Sequence, residues 1–426
     1  MKILLVNAPV TVRNRHARLA LPLGLAYIAS ALRTDGHRVS AIDLNVSGLN
    51  HDRVAGIIER DRPDIVGISA MTETITNGLA VARTVKATSP ETVIVMGGAH
   101  PTILPLDVLA EDDVDYVVVG DGERTMSELV SALAGGGPAL EDIPGLAYKT
   151  PEPRVNERRP LQHPDDLLLP ARELFPIEFY EEKYNVLTAT GSCPYRCPFC
   201  SAAAIWEGRR IARSPKSVVD ELRALQRDHG AGYVFFSDDI FTLDKRWVYS
   251  LLEEMKGLDF PMQWGCATRA DLVDPELLRS MAAAGCQGMQ FGVESGSQQI
   301  LDTVKHIKKE QVLEAVNAAV SEGLRPACSF MVPFPDDTLE TIAETGRFMG
   351  QLASAGADIM LNYTCPFPGT YFRDQAEELG LTVLPETWAE YDAKHVVMET
   401  RNLSAAQIQT AVEAIARDLG LKQTVE

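Results

Sequence analysis

The stretch GSCPYRCPFC occupies residues 191–200 and places Cys193, Cys197 and Cys200 at spacings of four and three residues. Such spacings can direct three thiolates at one small volume. Three thiolates anchor three irons of a cubane iron–sulfur cluster and leave the fourth iron open to a substrate or cofactor. Structural zinc is the alternative, but such sites are normally closed by four ligands. No fourth Cys lies nearby, and the nearest histidines, His163 and His229, are distant in sequence. An open cluster is the favoured interpretation.

The chain around this loop is long enough for several domains. Its 426 residues favour two or three domains, and a content of 46% hydrophobic and 7% aromatic residues is ordinary for a globular protein with large cores. The formal net charge is −19, which argues against nonspecific binding to DNA or RNA because that binding relies on basic surface. Solubility is the simpler explanation for the acidity.

The other cysteines and the N-terminus indicate the compartment. Cys266, Cys286, Cys328 and Cys365 are scattered along the chain, which disfavours a disulfide framework and favours a reducing compartment. The N-terminal apolar run is too short for a signal peptide and predicts a strand. No stretch approaches the roughly 18 apolar residues of a membrane span. We therefore expect a cytoplasmic protein without a membrane span.

Residues 1–135 alternate between short apolar runs and helical patterns. Runs rich in Val and Ile are typical of parallel strands that are buried on both faces. Helices are predicted between them, for example at Leu23–Arg33 and Asn77–Ala87, and this alternation predicts a parallel sheet with helices on both faces. The predicted strands are Ile3–Val6, Val39–Ile42, Ile65–Ser69, Val93–Met96 and Tyr116–Val119.

The strand ends of this sheet are rich in small and polar residues. In such a sheet, ligands bind outside the carboxyl ends of the strands. Those ends carry Asn7–Pro9, Ser69–Thr72, Gly97–His100 and Gly120–Glu123, and glycines there let a bulky ligand approach the backbone closely. A structural role or a nucleotide site remains open from the pattern alone, although no G-x-G-x-x-G follows the first strand.

The rest of the chain divides into three predicted segments. Periodicity fades in residues 136–183, where glycines and prolines predict an extended linker. Alternation of strands and helices resumes in residues 184–375. Residues 376–426 predict a small helical region with a helix near Ser404–Leu419. The strands predicted in the second alternating segment are Tyr184–Thr190, Tyr233–Ser237, Met262–Ala267, Gly288–Val293, Arg325–Val332 and Asp358–Tyr363.

The Cys-x3-Cys-x2-Cys pattern, with the aromatic Phe199 just before the last cysteine, resembles the radical S-adenosylmethionine (SAM) superfamily. The resemblance implies a [4Fe–4S] cluster on Cys193, Cys197 and Cys200 whose fourth iron binds SAM. An electron then cleaves SAM to methionine and a 5′-deoxyadenosyl radical, and an external flavodoxin- or ferredoxin-type donor supplies it. The resemblance also implies that residues 184–375 form a partial (β/α)6 barrel with the cysteine loop at its catalytic face.

The other strand ends of the implied barrel carry polar residues where relatives contact SAM. Relatives bind the amino group and methionine part after the second strand, and the ribose or amino group after the fourth. An arginine after the third strand can meet the SAM carboxylate or the substrate. Helix capping is the alternative role for the acidic residues. The implied SAM contacts are Phe199, Ser237, Asp238, Asp239, Arg269, Glu294 and Ser295.

The fifth strand departs from the family pattern. Relatives usually have Gly-x-Pro-Gly-Glu in the segment that stacks the adenine of SAM. This chain has PFPDD at residues 333–337 instead, so we assign no adenine contact there.

The strand ends of the first domain, together with PLGL at residues 22–25, look like the cobalamin-binding domain fused ahead of many radical SAM enzymes. This implies a doubly wound, Rossmann-like (flavodoxin-like) domain that holds the corrinoid on its strand-end loops. The Asp-x-His-x-x-Gly signature of a histidine ligand to cobalt is absent, as it usually is in these relatives. His100 is a candidate for the lower ligand of cobalt, but the favoured interpretation is that His100 is an ordinary polar residue of the loop. The implied cobalamin contacts are Ser69, Thr72, Gly97, Gly98, His100, Gly120 and Glu123.

The resemblance covers nearly the whole chain and implies an enzyme. We expect a methyltransferase that moves a methyl group from SAM via methylcobalamin to an unactivated carbon of a small metabolite. A cyclase or rearrangement enzyme with the same cofactors remains an alternative, as does a radical SAM enzyme whose corrinoid-like domain is only a scaffold. A tRNA methylthiotransferase is disfavoured, because its extra N-terminal cysteines and basic C-terminal module are missing. The substrate and the oligomeric state do not follow from the sequence.

Overall fold

Two large β-sheets carry the fold, which a computed structural model describes for residues 1–10, 19–46, 51–191 and 193–421. Ser192 of the cysteine loop and the end of the predicted C-terminal region, residues 422–426, lie outside these ranges. The first sheet has the order β2-β1-β3-β4-β5-β6-β7, and β1 to β5 are parallel. Its strands are β1 Lys2–Asn7, β2 Arg38–Asp43, β3 Ile65–Ser69, β4 Val93–Gly97, β5 Tyr116–Val118, β6 Leu146–Lys149 and β7 Pro153–Val155.

The order 2-1-3-4-5 confirms the flavodoxin-like prediction for the first domain. Alternate residues of β1 pack into different cores, because successive side chains of a strand point to opposite faces. Ile3 and Leu5 lie in one hydrophobic cluster, and Leu4 and Val6 lie in the other. Burial on both faces explains why the central strands are continuous apolar runs.

Helices cover both faces of this sheet and the outside of the second one. Predicted helices such as Leu23–Arg33 and Asn77–Ala87 form with only small changes at their ends. The helices are α1 Leu23–Thr34, α2 His51–Asp61, α3 Ile75–Thr88, α4 Ala99–Ile103, α5 Pro105–Leu109, α6 Glu123–Leu133, α7 Ala202–Trp206, α8 Pro215–His229, α9 Lys245–Met255, α10 Pro275–Ala283, α11 Gln298–Val304, α12 Lys309–Ser321, α13 Leu339–Ser354, α14 Tyr371–Asp374, α15 Ala376–Leu379 and α16 Ala405–Asp418.

The predicted linker is wrong over its first part. β6 and β7 lie within residues 136–183 and extend the first sheet antiparallel to β5, so that domain continues to residue 155. Leu146 and Tyr148 are buried against the cluster that covers α1. The two strands are only four and three residues long, and the surrounding glycines and prolines masked them in the sequence. The remaining connector packs Phe175 and Tyr180 on the same domain.

The second sheet has six parallel strands in the order β15-β14-β13-β12-β11-β8, as a partial (β/α)6 barrel requires. The predicted first strand, Tyr184–Thr190, is divided. Its start joins the barrel as β8, while its end forms the separate strand β9, which pairs antiparallel with β10. The strands are β8 Asn185–Val186, β9 Ala189–Gly191, β10 Arg210–Ala212, β11 Tyr233–Phe236, β12 Gln263–Thr268, β13 Cys286–Glu294, β14 Arg325–Val332 and β15 Asp358–Tyr363.

The C-terminal region contains more than helices. A small antiparallel pair, β16 Thr382–Val383 and β17 Met398–Glu399, precedes α16. The segment between these two strands reaches back to the first domain, where Trp388 packs against the core beside β3 and β4. This segment ties the two large domains together. In the described part of the chain, no helix is long and apolar enough to cross a membrane.

Candidate active site

The cysteine loop is closed at its base by the β9–β10 pair. Gly191 has φ +73°, and a Cβ at this residue would lie 2.1 Å from the carbonyl oxygen of Arg209, so only glycine fits there. Cys193, Cys197 and Cys200 are free and half-buried. The Cys200 N–H donates to the Cys197 carbonyl at 3.0 Å, which forms a tight turn between two of the three thiols.

The three thiols fit an iron–sulfur cluster by their chemistry. Burial raises the pKa of each thiol, that of Cys200 to about 11, and the Asp239 carboxylate raises the pKa of Cys193 and Cys200 further. Bound metal reverses this, because a coordinating thiol is deprotonated outright. Among the described residues, no three His, Cys, Asp or Glu side chains converge as ligands of a single ion. A cubane cluster instead takes each thiolate on a different iron.

The carboxylates after β11 have different environments. Asp238 is buried, its Oδ2 accepts the Thr188 N–H at 3.0 Å, and Arg210 lies 3.9 Å away. Burial raises the pKa of Asp238 to about 6. Asp239 acts electrostatically on two of the three thiols and, with Ser237, lines the same cavity as Cys193. Asp238 therefore holds the end of β11 to the segment between β8 and β9, and Asp239 is the carboxylate beside the thiols.

Glu294 forms a buried ion pair that the sequence did not reveal. Its Oε1 accepts from Lys305 Nζ at 2.7 Å, and the two side chains are 10% and 7% exposed. Glu294 has φ +77°, a left-handed conformation that a non-glycine residue adopts only under constraint. Both charges act on Cys197. Lys305 is thus a site residue that sequence reasoning missed, because it lies in a loop after α11 without a recognisable motif.

Ser295 and Arg269 are engaged by the protein itself. The Ser295 hydroxyl is buried, bonds to Thr345 Oγ1 at 3.2 Å and accepts the Ser297 N–H at 3.1 Å, so it has two partners within the protein. Arg269 donates two bonds to Asp271 and one to the Lys305 carbonyl. The predicted contact of Arg269 with SAM would therefore compete with these partners.

Phe199, for which a SAM contact was predicted, packs in an aromatic cluster. Its ring centroid lies 5.7 Å from that of Phe334 and 6.5 Å from that of Phe372. Phe334 comes from the divergent PFPDD segment, and the buried Asp337 carboxylate accepts the Phe334 N–H at 2.7 Å. The substituted segment is thus a rigid turn that packs its phenylalanine against the cysteine loop.

In the first domain, adjoining strand ends form a strip of backbone with few side chains. We call Ser69, Gly97, Gly98 and Gly120 the strand-end ridge, because they lie at or just after the ends of the neighbouring strands β3, β4 and β5 and are all partly exposed. Gly98 has φ +100°, and a Cβ there would lie 2.6 Å from the Ala70 carbonyl oxygen. Such a ridge lets a broad ligand lie against the backbone, which suits a corrinoid.

Thr72 and His100 are buried beside the ridge instead of lying on it. His100 Nδ1 lies 3.3 Å from Thr72 Oγ1, and its ring meets Trp388 edge to face with centroids 5.2 Å apart. Burial lowers the pKa of His100 to about 4, so the imidazole is neutral at neutral pH. In this arrangement His100 is enclosed by protein. This agrees with the interpretation of His100 as a polar residue of the loop and not with a role as the lower ligand of cobalt.

The two domains face a common cavity of about 170 Å³. Cys193 and Asp239 line it from the barrel, and Asp121 and Glu123 line it from the first domain. Burial raises the pKa of Asp121 to about 6 and that of Glu123 to about 7. Glu123, for which a cobalamin contact was predicted, thus shares a space with the cysteine loop.

Two family models match the chain, the B12 binding domain at residues 11–130 and the Radical SAM superfamily at residues 187–349. An uncharacterized methyltransferase of Pyrococcus horikoshii is 33% identical over 417 residues, which cover 96% of this chain and 90% of the relative. The chain belongs to the radical SAM enzymes that carry a B12-binding domain. The cofactors predicted from the sequence, a [4Fe–4S] cluster, SAM and cobalamin, are those of this family.

This radical SAM enzyme is also similar to a cyclase and to a methyltransferase of known structure. An anaerobic magnesium-protoporphyrin IX monomethyl ester cyclase of Rubrivivax gelatinosus is 30% identical over 373 residues, which cover 84% of this chain and 66% of the relative. Among solved structures, the radical SAM methyltransferase TsrM from Kitasatospora setae matches with a TM-score of 0.78 at 20% identity, over 100% of this chain and 89% of TsrM. At that identity, the structural match shows the shared fold alone.

Proposed function

We propose that this radical SAM enzyme is a methyltransferase that moves a methyl group from SAM through cobalamin to an unactivated carbon of a small molecule. The bound cofactors supply the 5′-deoxyadenosyl radical that removes a substrate hydrogen and the methyl group that replaces it. An external flavodoxin- or ferredoxin-type protein supplies the electron. The name of the Pyrococcus relative supports methyl transfer.

The observation that carries the proposal is the cavity shared by the two domains. A substrate carbon must reach both the radical and the methyl donor in one closed site, which keeps other hydrogen donors away from the radical. Here Cys193 and Asp239 from the barrel and Glu123 from the B12-binding domain border one cavity.

The residues of the chain have separate tasks in this proposal. Cys193, Cys197 and Cys200 would hold the cluster, and the strand-end ridge would hold the corrinoid. Asp239 stands beside the thiols and is suited to the amino group of SAM, because a carboxylate there offsets an ammonium charge. The Glu294–Lys305 pair near Cys197 offers charges of both signs to the rest of SAM.

Formation of a ring without methylation is the second candidate. It is favoured by the cyclase relative, which is only three percentage points less identical than the methyltransferase. The candidates differ in one respect that is measurable without the substrate. A methyltransferase must pass the SAM methyl group to cobalamin, whereas a cyclase has no need to.

The test uses the full chain reconstituted anaerobically with iron, sulfide and hydroxocobalamin. It is incubated with SAM carrying a trideuterated methyl group and a low-potential reductant, and the cobalamin fraction is analysed by mass spectrometry. We expect trideuteromethyl label in that fraction together with 5′-deoxyadenosine, and no 5′-deoxyadenosine from Cys197→Ala. Formation of 5′-deoxyadenosine without label in cobalamin would favour the cyclase. Loss of the pigment on gel filtration would favour a scaffold domain.

A further inference from the structure

Arg269 joins the cysteine loop to the barrel. It follows β12 and is 5% exposed. Its guanidinium lies over the ring of Tyr195, with Cζ 4.2 Å from the ring centroid. Nε and Nη2 donate to the two carboxylate oxygens of Asp271 at 2.9 and 3.0 Å, and Nη2 also donates to the Lys305 carbonyl at 3.2 Å.

These contacts hold a guanidinium against a cluster ligand. Tyr195 lies between Cys193 and Cys197 in the loop, so stacking on its ring holds the guanidinium against the segment that carries both thiols. The positive charge of Arg269 favours the thiolate form of Cys197 and so opposes the rise that burial causes in the pKa of this thiol. Arginine has five N–H donors in a rigid fork, so it can serve Asp271, Lys305 and a sulfur at the same time.

The charges around Arg269 determine its electrostatic effect on Cys197. Asp271 is the bidentate partner of Arg269 and offsets much of its positive charge. The cysteine loop therefore faces a guanidinium whose charge is largely balanced by Asp271, and not an isolated cation. Lys305, the other cation that acts on Cys197, is paired with Glu294. The two ion pairs make the environment of Cys197 polar but nearly neutral.

We propose that Arg269 is a positioning residue that raises the reduction potential of the cluster held by Cys193, Cys197 and Cys200. This rests on the proposed function only in that it takes the cluster to be present. The potential of such a cluster depends on net charge, on hydrogen bonds to its sulfurs and on solvent exposure. One electron from an external donor lowers the cluster charge from 2+ to 1+, and a nearby N–H donor stabilises the product of that step.

The experiment is a redox titration of the full, reconstituted protein, followed by electron paramagnetic resonance, with dithionite as reductant and neither SAM nor substrate present. Arg269→Met removes the donor and the stacking, and we expect a more negative midpoint potential. Asp271→Asn removes the countercharge and keeps Arg269, and we expect a less negative midpoint. Arg279→Met is the matched control, since Arg279 pairs with Glu322 on the surface and should not change the midpoint.

Midpoint shifts of opposite sign in Arg269→Met and Asp271→Asn would support the proposal. If the Arg269–Asp271 pair were only a structural contact, removing either partner would shift the midpoint in the same direction or not at all. Midpoints equal to that of the wild type in both variants, at equal iron and sulfide content, would overturn it. If Arg269→Met fails to hold a cluster, Asp271→Asn decides alone, and an unchanged midpoint there overturns the proposal. Methylation plays no part in this measurement, so a failure of the proposed function leaves the result readable.

Discussion

The cysteine loop and the strand-end ridge are prepared for their cofactors by different means. The loop offers side chains: three thiols, with Asp239 and two ion pairs around them. The ridge offers mainly backbone, because glycines at the ends of β4 and β5 remove the side chains. A site made of ligating atoms depends on residue identity, whereas a site made of bare backbone depends on shape.

This difference determines how each site responds to substitution. Removing one ligand from the loop should abolish its function, and adding one methyl group to the ridge should only weaken it. Substitution of a residue that surrounds either site should have an effect between these two limits. The effect should grow with the amount of buried charge that the substitution leaves without a partner.

Cys197→Ala should have the largest effect, a loss of the cluster. Three thiolates are the minimum set for three irons, so the remaining two thiols cannot hold a stable cubane. Iron and sulfide content should fall to background after anaerobic reconstitution. Cys365→Ala is the matched control. Cys365 is a buried thiol that packs in a small hydrophobic cluster with Tyr391 and Val397, so its loss should leave the iron content unchanged. A full cluster in Cys197→Ala would mean that another residue ligates the iron.

Lys305→Met should come next, because it leaves the buried Glu294 carboxylate without its partner. Breaking a buried pair from one side costs about 3–5 kcal/mol of unfolding free energy. Denaturant unfolding should show this loss, and the double variant Glu294→Gln with Lys305→Met should recover part of it. Lys256→Met removes an exposed pair with Glu253 and should cost about 1 kcal/mol or less. Equal losses in Lys305→Met and Lys256→Met would contradict the role of the buried pair.

The features that sequence predicts best here are local and periodic. The strands of the first sheet are continuous apolar runs because both faces are buried, so β3 begins and ends as predicted. The cysteine spacing lies within ten residues and specifies the loop by itself. The ends of the barrel strands follow from the same alternation, which places Ser237–Asp239 and Glu294 at the mouth of the barrel.

The features that sequence missed depend on contacts between distant segments. Lys305 became part of the site only because a loop after α11 turns back to Glu294. Trp388 contacts His100 across two domains, and no local pattern marks either residue. β6 and β7 are short and pair with an edge strand, so their apolar residues are too few for a periodic signal. Side-chain partners such as Asp271 likewise determine that Arg269 faces the loop and is held there.

His100→Gln should change the pH dependence of stability, because His100 is buried beside the ridge. Its pKa in the folded protein is about 4, below the ordinary value near 6.5. Between these values the unfolded chain takes up a proton that the folded protein does not, so folding stability falls as pH decreases from about 6.5 to 4. The loss attributable to this group reaches about 3 kcal/mol. Thermal unfolding at pH 7 and pH 4.5 should therefore show a smaller decrease for His100→Gln than for the wild type, and parallel decreases would contradict the burial of this imidazole.

Gly98→Ala should have a selective effect on cobalamin and leave the cluster in place. Gly98 has φ +100° and ψ −171°, a conformation that essentially only glycine adopts, and an alanine Cβ would be 2.6 Å from the Ala70 carbonyl oxygen, so the loops after β3 and β4 must separate. We expect weaker retention of cobalamin on gel filtration, measured by absorbance, with an unchanged iron content. Gly136→Ala is the matched control, because nothing lies within 4 Å of its Cβ position and its φ is not left-handed. If Gly98→Ala keeps cobalamin as well as Gly136→Ala does, the ridge is not shaped for the corrinoid, and the contrast between a site of side chains and a site of backbone no longer holds.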